Sequence, residues 1–151
     1  MANLTFSAAV AEWTRKVDGA LEAVFRESVN ELVAELNAEV TRLVYDQPIA
    51  PSGYVRTGFL RASLSASKAS MPLASRDNPG GAFAADDAIV AVIQGAELGE
   101  TIYLGYTAEY SGIVHYGGNG RQPRPWVSLV AQRWDSIVSA KASELKTKLG
   151  L

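Results

Sequence analysis

The chain has 151 residues, 48% of them hydrophobic, which suits one domain burying a core of ordinary size and leaves little for a second. With no cysteine and one histidine, disulfide staples, thiolate metal sites, cysteine nucleophiles and histidine metal cages are excluded. The formal charge of −2 argues against a dedicated nucleic-acid binder, since tight duplex binding relies on a field of Lys and Arg facing the phosphates.

The opening Met-Ala-Asn-Leu-Thr has no basic region and no apolar run, so neither a signal peptide nor a membrane-spanning helix is expected. From Phe6 to Val44 the apolar residues Phe6, Val10, Trp13, Val17, Leu21, Phe25, Leu32, Leu36, Val40 and Leu43 fall at helical spacing. At about 1.5 Å per residue such a helix outreaches a compact domain of this size, so part of it projects or packs on a neighbour. Asp18-Gly19 offers a bend instead, because glycine costs about 1 kcal/mol in a helix interior.

Within this helix Glu27, Glu31, Glu35 and Glu39 repeat at i,i+4, a row of like charges that weakens an isolated helix. The row drifts toward the apolar stripe, and Arg42 answers only part of it. Three readings are open: a solvated face, an acidic seam against a basic surface, or an acidic channel wall that repels passing DNA. The charge is also unevenly placed along the chain. Residues 1–50 hold eight acids and four bases, a balance of −4, whereas residues 113–151 hold two acids and six bases, a balance of +4. The two ends attract, either inside one molecule or head to tail between copies in a ring.

Pro48 ends the first helix, with 1–46 as its outer bounds. In Val55-Arg-Thr-Gly-Phe-Leu-Arg-Ala-Ser-Leu64, Thr57 can cap a short turn that presents Leu60 and Leu64 on one side and Arg61 on the other, a docking element. Residues 62–72 read as a strand and 75–82 as a mobile loop. The β-branched run Ala88–Ile93 and the alternating Thr101–Tyr106 pair naturally as a hairpin. Tyr110, Ile113, Val114 and Gly117 suit a two-turn helix begun at Thr107 and stopped by glycine. A basic loop with Arg121 and Arg124 follows, and Pro125 opens an amphipathic helix over 125–149 with Trp126 and Trp134 on its apolar stripe. The fold class expected is α+β in a single domain: a long N-terminal helix, a small, mainly antiparallel sheet of three to four strands, a short helix and a C-terminal helix.

Catalytic chemistry has little to stand on. Glu109 and His115 could couple as acid and base, but six residues on a helix puts them about 120° apart. Asp86-Asp87 could take a divalent ion, although adjacent carboxylates at such a junction commonly form a solvated turn. No phosphate loop or glycine fingerprint occurs, and no cofactor or metal is expected.

The stretch from Val55 to Leu64, and the later Tyr110-Ser-Gly-Ile-Val-His-Tyr-Gly117 followed by Arg121-Gln-Pro-Arg-Pro-Trp126, resemble in order and spacing the neck and tail-completion proteins of long-tailed phages, the group of lambda's minor tail protein Z. The resemblance covers roughly residues 40–135. The chain departs from that pattern in having Arg56 where an acid commonly precedes Thr-Gly, His115 where a Glu precedes the aromatic-Gly pair, and no later proline in the last helix.

The resemblance implies a non-enzymatic virion protein at the head–tail junction, made in the host cytoplasm and assembled as a homo-oligomeric, hexameric ring around the DNA channel, without a membrane. Its partners would be neck, head-closure, tail-terminator or tail-tube proteins, with double-stranded DNA passing unbound. Arg56, Thr57, Leu60, Arg61, Arg121, Arg124 and Trp126 would face neighbouring subunits, and the Glu27-to-Glu39 row would line the channel. Two alternatives are a tail-terminator or head-closure ring protein, and a small cytoplasmic enzyme or ligand-binding domain. The latter requires a pocket gathering Glu109, His115, Tyr103, Tyr106, Tyr110 and Tyr116.

Overall fold

A computed structural model describes residues 5–48, 57–77 and 88–150. The first helix, α1 (Phe6–Val40), begins where Thr5 Oγ1 accepts the Ala8 N–H at 3.3 Å. It continues through Asp18-Gly19, and its 35 residues span about 52 Å. Over Thr41–Tyr45 the helix widens into a π turn, closed by the Asp46 N–H donating to the Thr41 carbonyl at 2.8 Å.

A single helical turn, α2 (Phe59–Ala62), leads into β1 (Leu64–Ser67), which pairs antiparallel with β2 (Tyr103–Tyr106) so that Leu64 faces Tyr106 and Ser67 faces Tyr103. Among the described residues the sheet has these two strands, not three or four. The expected hairpin partner of β2 is instead a helix, α3 (Ala88–Gln94). A short apolar run fits a buried strand or a buried helix equally by pattern, and burial decides here: Ile89 and Ile93, four apart, are inside while Val90 is outside. The end of α3 is held by cations, as Arg26 Nε and Nη2 donate to the Ala96 carbonyl at 3.0 and 2.8 Å and Lys68 Nζ donates to Gly95 O at 3.2 Å.

The short helix α4 (Ser111–Tyr116) starts one turn later than expected. Thr107 is committed to the strand end, where its N–H and its hydroxyl both donate to the Ser63 carbonyl at 2.9 Å. The C-terminal helix is in two pieces, α5 (Trp126–Ala131) and α6 (Trp134–Leu149). The joint tightens to a three-residue bond, Arg133 N–H to Val130 O at 2.9 Å. Both pieces pack on α1, with α6 antiparallel to it, and the core gathers where Leu36 and Val40 of α1 meet Phe59, Ile93, Trp126 and Val130.

Candidate functional site

The turn before β1 is shaped by Gly58, whose φ of 80° is open to glycine at little cost, and by Thr57 Oγ1 accepting the Phe59 N–H at 3.3 Å. It turns Phe59 and Leu60 inward, 1% and 2% exposed. Leu60, expected at a partner interface, is therefore a core residue: its apolar surface is already covered by its own chain. Arg61 stays outside and lies across the end of α1. Its N–H donates to the Tyr45 hydroxyl at 3.1 Å, its Nη1 donates to Thr41 Oγ1 at 3.1 Å, and its guanidinium sits 4.6 Å from the Tyr45 ring centroid. Arg56 lies outside the described residues, as do Asp86-Asp87 and most of the 75–82 loop.

The second stretch is built around His115 and Gly117. Gly117 has φ 79°, and a Cβ there would stand 2.8 Å from the Arg121 carbonyl, so glycine lets the basic loop fold back on α4. The Arg124 N–H donates to the carbonyls of Val114 and His115 at 3.1 and 3.2 Å, closing the loop. The side chains of Arg121 and Arg124 find no partner among the described residues; Arg121 is exposed and Arg124 half-buried. Trp126, also expected at an interface, is 1% exposed and stacks edge-on with Tyr106 at 5.1 Å and His115 at 5.3 Å. It anchors the core because the first turn of α5 points inward.

Pro125 offers α5 no side-chain cap, and His115 supplies one from another element: its Nε2 accepts the Ser128 N–H at 3.3 Å. Burial holds the His115 pKa below its usual value, and its Nδ1 has no hydrogen-bond partner among the described residues. This role escaped the sequence reading, although a helix opening on Pro125 without its own cap was the available signal.

Beside these residues lies an open cleft of about 260 Å³ walled by Leu36, Leu104, Tyr106, His115, Tyr116 and Trp126. It gathers three of the six residues that the enzyme alternative needs, His115, Tyr106 and Tyr116. Glu109, Tyr103 and Tyr110 are not in its walls. Glu109 pairs instead with Asp77, whose hydrogen bond and charge raise its pKa. Burial likewise pushes the Tyr106 hydroxyl up.

The acidic row meets the C-terminal helix of its own chain. Arg133 binds Glu35 through Nη1 and Glu39 through Nη2, the latter at 2.6 Å, while Arg42 holds Glu39 at 2.8 Å and Lys141 approaches Glu31 at 3.7 Å. The Arg133 hydrogen bond is the main cause of the lowered Glu39 pKa, and partial burial opposes it. Glu27 alone of the four is exposed. The attraction between the two ends thus operates inside one molecule.

Among the described residues no group of three or more His, Asp or Glu side chains is placed to hold a metal ion, and no helix is long and apolar enough to cross a membrane. No protein family, curated protein or solved structure matches the chain.

Proposed function

We propose that this chain is a structural subunit of the neck of a tailed phage or phage-derived particle, forming a ring that joins or completes head and tail around the DNA channel. One arrangement supports the reading. The two stretches that carry the phage resemblance, about sixty residues apart, pack as one unit: Phe59 lies 6.2 Å from Tyr110, and Tyr106, paired with Leu64, meets Trp126. Leu60 and Trp126 support this unit from within, and Arg121 and Arg124 stand at its surface, free for charge-assisted bonds to neighbouring subunits or adjoining rings. With Glu31, Glu35 and Glu39 answered by the chain's own cations, Glu27 is the member of the row left to face a channel. On this reading the protein's work is binding, with no substrate turned over.

The test is Arg121→Ala with Arg124→Ala in the parent particle. Two charge-assisted bonds at about 1.5–3 kcal/mol each are lost, which lowers head–tail joining by more than about tenfold, while the denaturation midpoint of the purified protein is unchanged. Normally joined, infectious particles carrying both changes overturn the proposal.

The cleft beside His115 favours a second reading, a small-ligand-binding domain. Saturable NMR shifts confined to cleft residues such as Tyr116 and Val127 during a small-molecule screen would support it, and their absence would remove it.

A further inference from the structure

Among the described residues the core takes up α1 from Phe25 onward; before it, the arm of the helix is exposed throughout residues 9–16 and half-buried at Val17, Ala20 and Val24. Its large apolar residues are bare: Phe6 is 86% exposed, Trp13 61%, Leu21 50% and Val10 45%. Their spacing is more specific than amphipathicity. Phe6, Val10, Trp13, Val17, Ala20 and Val24 alternate steps of four and three residues, the 3.5-residue repeat of a seam made to meet another helix. With Val10 and Val17 at a positions, the flanking e and g positions are Ser7, Ala9, Thr14, Lys16, Leu21 and Ala23, which carry one charge among them, so the face is broad and largely apolar.

The area of the face bears on what covers it. Aromatic side chains bury about 150–250 Å² each, so Phe6, Trp13 and the aliphatic residues between them offer on the order of 400–500 Å² per copy. That is as large as the largest apolar patch on a typical monomer, about 300–600 Å². Two such faces together remove on the order of 800–1,000 Å² from water, which reaches the lower bound of about 1,000 Å² for a biological interface and fits a weak, concentration-dependent pairing.

We infer that the arm of α1 pairs with the same arm of a second copy as an antiparallel two-helix seam. The antiparallel direction places the two bodies at opposite ends, where they do not collide. It also matches large side chains with smaller ones, Phe6 with Val24, Val10 with Ala20 and Trp13 with Val17 of the other copy. The pairing is two-fold, distinct from the head-to-tail contacts that close a ring, and it does not depend on the neck reading.

Sedimentation equilibrium of the full chain over about a hundredfold range of concentration tests the pairing. The expected result is a concentration-dependent doubling of mass for the wild type, and association at least about tenfold weaker for Val10→Glu with Trp13→Glu, with near-UV circular dichroism of the body retained. A wild type that stays monomeric throughout overturns the inference, and so does a higher oligomer that both substitutions leave intact; the latter would still agree with a ring. Because the chain has no cysteine, direction can be read by mixing Val10→Cys and Ala20→Cys proteins under oxidation. Val10→Cys should link to Ala20→Cys, whereas linking of Val10→Cys only to itself would overturn the antiparallel arrangement.

Discussion

The two ends of α1 use one helical pattern for different purposes. From Phe25 to Val40 the stripe is covered by α3, α5, α6 and the turn α2, and its acids are answered by Arg133 and Lys141. From Phe6 to Leu21 the same spacing continues, but Phe6, Val10, Trp13 and Leu21 are exposed and Val17 is only half-buried. Propensity and periodicity are alike on both sides, so the difference lies in how far α6 reaches. Its 16 residues extend about 24 Å along a helix of about 52 Å, and among the described residues Phe6, Val10 and Trp13 at the far end are exposed.

The contrast can be broken most sharply in the covered half. Leu36 is 5% exposed, and Leu36→Ala should lower stability by about 2–5 kcal/mol, measured by urea denaturation of the purified chain. A loss no larger than that of a surface substitution would mean that this half is not packed as described.

A smaller effect should come from pH, through the residue that starts α5 on the covered side. The His115 pKa is lowered in the folded state, so the unfolded chain binds the extra proton more readily. This contribution to stability is complete above the unfolded value of about 6.5 and is lost as pH falls toward the folded value. Protonation also removes the acceptor of the Ser128 N–H at the positive end of a helix. Melting temperature should therefore fall between pH 7 and 5 more steeply for the wild type than for His115→Gln. Glu109, whose pKa is raised, works in the opposite direction at lower pH, and it is common to both proteins. Parallel profiles would remove the capping role.

The smallest effect belongs to the arm. In a dilute sample Val10→Ala should change stability by no more than about 0.5 kcal/mol, because the side chain is 45% exposed and belongs to no core cluster among the described residues. A large loss under dilution would erase the contrast between the two ends.

Much of the architecture can be read from local pattern. The apolar spacing of Phe6 to Leu43, Pro48 after it, Gly58 and Gly117 at turns with positive φ, and Pro125 at a helix start each act over a few residues, and each element falls close to where its pattern places it. The run Ala88–Ile93 is a helix where its pattern predicts a strand, because β-branched residues fill a buried strand or the buried face of a helix equally well. Its outcome depends on Ile89 and Ile93 meeting α1 and β1, a contact set by residues far away in the chain.

The site divides the same way. Arg121 and Arg124 are surface cations in both the sequence and the fold, while Leu60 and Trp126 could have faced a partner until their own core enclosed them. Composition and periodicity settled that a long amphipathic helix, an acidic row on it and a basic C-terminal region exist. Long-range packing settled which cation meets which carboxylate, that His115 caps a helix it does not belong to, and that Phe6, Val10 and Trp13 of α1 are exposed. Local propensity acts over a few residues, whereas burial and charge pairing depend on which distant segments come within a few ångströms.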